Sequence, residues 1–182
     1  MQHTPFFVQR WLRLWRHLWQ SDTAAWHAVP DAMAARLGAR VRASEQRHSG
    51  QIGVCIEGAL PLSYVGRIDR QAPLSVVVRQ RAMTWFGRMR IWDTEHNNGV
   101  LIYLLLAERR IEILADRGLM RHVHEAFWQE AVLRLRQHLQ QGDFEAGLTQ
   151  ALEEVSALLV MHFPVRTDDA RPNELADAVV RA

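Results

Sequence analysis

Apolar residues recur every three or four positions near the start of the chain, at Phe7, Val8, Trp11, Leu14, Trp15, Leu18 and Trp19. Gln9, Arg10, Arg13, Arg16, His17 and Gln20 fill the other side, so residues 6–20 are expected to form an amphipathic helix. Ser21-Asp22 breaks that pattern, and Trp26 and a Val29-Pro30-Asp31 turn follow. A second helix is expected over residues 31–47, with Asp31 as N-cap and Met33, Leu37 and Val41 on one stripe. His48-Ser49-Gly50 closes it.

The pattern then changes period. Residues 51–57, QIGVCIE, are short, apolar and rich in β-branched side chains, the pattern of a buried strand. A turn-rich loop over 58–73 precedes a helix over 74–90, which carries Val78, Ala82, Trp85, Phe86 and Met89 on one stripe. The polar loop 92–99 leads into a continuous apolar run, 100–106, expected to be a central strand covered on both faces. A tight turn at 107–109 joins it to a strand over 110–115, so those two must pair antiparallel. The helical crossover from the first strand to Val100 favours a parallel relation there.

Helices over 121–140 and 143–161 follow, separated by Gly142 as a C-cap and Asp143 as an N-cap. Beyond Phe163 the prolines and the Asp/Arg-rich stretch suggest a loose arm. The organisation expected is a leader over 1–30, an α/β domain over 31–163 and a flexible tail over 164–182. The fold class is α/β, a small mixed sheet sandwiched between helices, with an additional N-terminal amphipathic helix.

Composition narrows the function classes. The formal net charge is +2, which lacks the broad basic face a general nucleic-acid binder needs. The 22 basic residues are all arginine. No acidic residue precedes Asp22, so the N-terminus is the place where an anionic partner such as a phospholipid surface fits. The single cysteine, Cys55, sits in an apolar run and reads as a small buried hydrophobe. No stretch reaches the length of a membrane span, and arginines interrupt each candidate signal peptide. A cytoplasmic location follows as the expectation, with peripheral contact at the inner membrane as a further option.

Chemistry concentrates before Val100. Asp93, Glu95, Asn97 and Asn98 place several oxygen donors within six residues, the donor type that Ca²⁺ and Mg²⁺ take. Antiparallel pairing should bring Asp116 beside Gly99, where it could join them. Arg90 and Arg117 could orient a phosphate. The same residues are also ordinary turn formers that satisfy backbone groups. No Zn²⁺ spacing, nucleophile elbow, P-loop or dinucleotide fingerprint is present.

The segment WDTEHNNGVLIYLLLAERRIEILADRG, with the helix junction GDFEAGL, resembles the TPM domain family, thylakoid-lumen phosphatase-like and photosystem II repair protein-like domains. The likeness covers about residues 44–161. The whole chain, with its Arg/Trp leader and HFP…NEL end, resembles a proteobacterial subgroup without signal peptide or membrane anchor. The resemblance implies a helix-flanked mixed sheet, Ca²⁺ or Mg²⁺ at acidic loops beside it in some members, and acid phosphatase activity in others.

Two functions are therefore expected to compete. One is a non-catalytic interaction module, with a divalent cation at the 93–99 and 116 loops as an option. The other is a metal-dependent acid phosphatase-like hydrolase. Contact residues are Trp11, Arg13, Trp15 and Trp19. The first expectation is that these tryptophans are covered by protein, either the domain or another subunit. A separate protein partner and a lipid surface are the alternatives.

Overall fold

The computed structural model describes residues 6–19, 23–69, 71–165 and 178–182, with side chains from Leu12 onward. Eight helices and four strands occur among the described residues. In chain order they are α1 (Phe6–Trp19), α2 (Ala24–Ala28), α3 (Asp31–Glu45), β1 (Ile52–Glu57), α4 (Leu62–Val65), α5 (Leu74–Arg88), β2 (Val100–Leu105), β3 (Arg110–Ala115), α6 (Arg117–Met120), α7 (Glu125–Gln140), α8 (Phe144–His162) and β4 (Val179–Arg181). The four strands make one sheet in the order β3-β2-β1-β4. β1 runs parallel to β2 and to β4, while β2 and β3 are antiparallel.

Every residue of β1 and β2 is buried. Their side chains alternate between two cores, as the two-residue period of a strand requires. Ile52, Val54, Ile56, Val100, Ile102 and Leu104 pack under α3, α7 and α8. Cys55, Leu101, Tyr103 and Leu105 face Val77, Val78 and Ala82 of α5. The result is a mixed sheet with helices on both faces, as the apolar run 100–106 predicts.

Three expectations need correction. Asp31 is the first residue of α3 and Pro30 the N-cap, because proline suits the extended backbone just before a helix. The turn-rich loop contains the short helix α4, and the start of the helix expected at 121 is delayed to Glu125, with α6 before it. The third concerns the end of the chain. Residues 179–181 are not part of a loose arm but the edge strand β4, whose residues pair Val54↔Val179, Cys55↔Val180 and Ile56↔Arg181. The free edge of β1 offers unpaired backbone groups, and β4 satisfies them: Val54 N–H donates to Ala178 O and Ala182 N–H to Ile56 O, at 2.8 and 2.9 Å.

One charge lies inside the α5-side core. Glu57, the last residue of β1, is 3% exposed and Arg81 of α5 is 6% exposed. Arg81 Nε donates to both Glu57 carboxylate oxygens at 3.0 Å, and Nη2 also donates to Oε1. Tyr103 Oη donates to Oε2 at 2.6 Å and Trp85 Nε1 at 3.2 Å. Burial, and then the Glu57 charge beside it, push the Tyr103 phenol far above its ordinary range, so it remains a donor. Removing one partner of such a pair strands the other. Arg81→Met should therefore destabilise the protein by about 3–5 kcal/mol, read as a lowered urea midpoint at an unchanged denaturant slope.

Candidate functional site

Two regions gather polar side chains where a ligand or partner could reach them. The first is the loop before β2. Asp116 N–H donates to Gly99 O at 2.9 Å and Gly118 N–H to Asn97 O at 2.8 Å, so the predicted approach of the two strand ends is present. Glycine is required on both sides of this seam. A Cβ at Gly99 would lie 2.0 Å from Ile91 O, and one at Gly118 would lie 2.1 Å from His96 O. Asn97 adopts a left-handed backbone, φ 50°, which asparagine tolerates.

The oxygen donors meet arginines in this region. Asp93 pairs with Arg90. Asn97 Oδ1 accepts from Arg117 Nε and Nη2 at 3.2 and 3.0 Å. Asp116 turns back to cap α6, accepting from Arg117 N–H at 2.6 Å. Glu95 is exposed. Asn98 is fully buried: Nδ2 donates to Ser49 Oγ at 3.1 Å, and Oδ1 has no hydrogen-bond partner. Among the described residues, no group of three or more His, Cys, Asp or Glu side chains converges as a metal would need.

Next to this loop, the junction of α3 and β1 holds two groups with opposite titration. Burial pushes the Glu45 carboxyl up to about 7, although Ile52 N–H donates to it. Burial, with Arg47 nearby, pulls the His48 imidazole down to about 4. His48 Nδ1 donates to Gly50 O, so Nε2 is the acceptor facing Ser44 Oγ at 2.7 Å.

The second region is built by α1. Its inner face is polar. Arg13 pairs with Asp69 at 2.8 Å, and His17 Nε2 donates to Glu108 at 3.0 Å. His17 Nδ1 accepts from Leu60 N–H at 3.0 Å, which fixes the tautomer. Arg13 Nε and Arg16 Nη1 also approach Glu108, at 3.4 and 3.6 Å. Burial opposes the Glu108 charge, but the His17 hydrogen bond and the two guanidiniums outweigh it and hold the carboxyl below its ordinary range.

The outer face of α1 is apolar. Leu12 is 58%, Trp15 51%, Leu18 60% and Trp19 76% exposed. Of the two protein covers expected for Trp15 and Leu18, the domain does not supply one; among the described side chains Leu14 packs against it. The reason lies in the seat. The nearly buried Glu108 carboxylate and the Leu60 N–H both need partners, and Arg13 and His17, four residues apart, supply them on one stripe. Arg13, expected at a partner surface, is therefore a tether to the domain. Trp11 lies outside the described side chains.

Beside α1 the surface opens into a cleft of about 950 Å³ at the carboxyl end of β2. Arg16, Arg109, Arg110 and Arg136 line it, over Leu106, Ile111, Leu139 and Phe144, with Trp19 at one wall. Neither this cleft nor the Glu57–Arg81 pair is among the sequence-derived candidates. The available signals were a lone glutamate ending an apolar strand, and an arginine in the tight turn at 109.

The sequence profile of the TPM domain family matches residues 27–158. Among solved structures, the chain is similar to the BA42 protein from the psychrophilic bacterium Bizionia argentinensis sp. nov., solved by NMR. That likeness has a TM-score of 0.68 at 26% identity, over 85% of this chain and 95% of the other. No curated protein matches the chain.

The Glu45–His48 pair generates a pH prediction. The folded chain holds the Glu45 proton more tightly than the unfolded chain, so stability present below about pH 4.5 is lost as pH rises towards 7. His48 acts in the opposite direction: stability present above about pH 6.5 is lost as pH falls towards 4. Where those windows overlap, from about pH 4.5 to 6.5, the two slopes oppose each other. Glu45→Gln keeps an acceptor for Ile52 N–H and removes one slope. Its stability should then rise with pH by up to about 1.4 kcal/mol per unit from pH 4.5 to 6.5, while the native chain stays nearly flat. Urea titrations across that range measure both profiles, and a flat variant would contradict the His48 assignment.

Proposed function

The chain belongs to the TPM domain family, and within that family we propose that it is a non-catalytic interaction module that seats on an anionic lipid surface through the outer face of α1. The observation that carries this reading is the orientation of α1. The helix spends its arginine and histidine face on the domain and turns Leu12, Trp15, Leu18 and Trp19 away from it. Tryptophans with nearby arginines suit the headgroup layer of a membrane. Charge favours lipid over a second copy of the chain: the adjoining cleft presents four arginines and no carboxylate, and anionic headgroups attract such a surface. Among the described residues no helix is long and apolar enough to cross a membrane, so the contact would be peripheral.

Vesicle sedimentation tests this. The native chain should bind phosphatidylglycerol vesicles and not phosphatidylcholine vesicles. Leu12→Gln/Trp15→Gln should weaken binding at least about tenfold, since each side chain loses roughly 1.5 kcal/mol of apolar burial. If native protein stays in the supernatant, the reading fails. If it instead forms a dimer that the same double variant dissolves, the outer face is a homo-oligomer contact.

A second reading is a divalent cation at the 93–99 and 116 loops, with phosphatase-like hydrolysis as its extension. One observation favours it: the Asn98 Oδ1 atom is buried and unpartnered beside Asn97 and Gly99. Oxygen donors suit Ca²⁺ or Mg²⁺, but Arg90 and Arg117 hold Asp93 and Asn97, so a cation must displace them. On this reading, calorimetric titration with Ca²⁺ or Mg²⁺ gives heat that Asp93→Ala and Asp116→Ala abolish. Absence of both heat and thermal shift in the native chain removes it.

A further inference from the structure

We propose that the cleft between α1, the β2–β3 turn and the α7–α8 junction is a binding site for an anionic amphiphile, a phosphate or carboxylate head carrying an apolar body. The inference stands on the cleft itself and does not require the outer face of α1 to touch a membrane.

Position is the first argument. The cleft lies at the carboxyl end of β2, beside β1, and these are parallel neighbours. In α/β sheets ligands lodge at the carboxyl ends of parallel strands. Its volume, about 950 Å³, is that of a pocket for a drug-sized molecule.

Charge is the second argument. Four arginines from four separate elements border the cleft: Arg16 of α1, Arg109 of the turn, Arg110 of β3 and Arg136 of α7. The lining includes His27 and no carboxylate. The nearest acid, Glu108, is committed to His17, Arg13 and Arg16. Glu145 at the start of α8 is committed to Arg36. Among the described residues, no carboxylate pairs with Arg109 or Arg136, whereas Arg16 has Glu108 and Arg110 interacts with the Glu112 charge. Arg109 and Arg136 therefore carry positive charge with no carboxylate partner, and an anion in the cleft offsets it.

The third argument is backbone conformation. Arg109 holds φ 49°, a left-handed conformation that glycine or asparagine adopts more easily. Glycine would suit this turn better, so the Arg109 side chain is kept at a small backbone cost. The apolar floor, Leu106, Ile111, Leu139 and Phe144, specifies the remainder of the ligand. Inorganic phosphate would leave it uncovered, and an uncharged amphiphile would leave Arg109 and Arg136 unpaired.

Calorimetry with three probes tests the site: monomeric dodecyl phosphate below its micelle concentration, inorganic phosphate and dodecyl maltoside. Dodecyl phosphate should bind one to one, at least tenfold more tightly than either of the others, and more weakly as salt rises. Arg109→Gly/Arg136→Gln should lower that affinity tenfold or more. The first change suits the turn and the second is on a helix surface, so the fold is kept, as far-UV circular dichroism will verify. The proposal is overturned if the native chain does not bind dodecyl phosphate, if either control binds equally well, or if the folded double variant retains full affinity. Neither substitution touches Leu12 or Trp15, so failure here leaves the vesicle result independent.

Discussion

The structure depends on covering two strands completely. β1 and β2 have no solvent-facing side, so helices must lie on both faces of the sheet. Apolar alternation divides the side chains into two cores, and each core selects its helices. The single carboxylate in β1 then determines a detail that apolar packing leaves open. Glu57 cannot lie under α5 without Arg81, Tyr103 and Trp85 directed at it, so the position of α5 along the strand follows from a polar requirement inside an apolar layer. Buried pairs of this kind add little net stability compared with a hydrophobic replacement. Here the pair ties α5 to the carboxyl end of β1.

The strands at 52–57, 100–105 and 110–115 were readable because their runs are apolar and turn-bounded, and the link at 107–109 allows one pairing. β4 was not readable. Val179–Arg181 is three residues long, and its strand character comes from the edge of β1, more than a hundred positions earlier. Local pattern contains no trace of such a partner. α1 was legible as a helix and as amphipathic. Which face meets the domain was not, because periodicity identifies a stripe without identifying its surroundings. Glu108 and the Leu60 N–H, distant in sequence, decide it.

The loop site divides the same way. Antiparallel pairing placed Asp116 at Gly99, and Gly118 two residues on meets Asn97. Which atoms face each other depends on rotamers and on the arginines that reach them, and spacing does not encode those. Oxygen donors and guanidiniums drawn separately from the sequence as metal ligands and phosphate clamps turn out to be each other's partners, Arg90 with Asp93 and Arg117 with Asn97. Arg109 and Arg136, which have no carboxylate partner among the described residues, lie instead at the cleft beside α1.

Arg181 gives β4 a second role. Its guanidinium lies 3.7 Å from the Trp26 ring centroid, donates to Val29 O and pairs with Asp31 at 2.7 Å. One side chain thus joins the last strand to the α2–α3 corner across a sequence separation of 152. Contacts of such span form late, since closing a long loop costs entropy before any interaction offsets it. The clasp is therefore the natural place for the native state to open first. Amide exchange should be fastest along β4 and at that corner, and the N-terminal helices could loosen there while β1 and β2 remain packed.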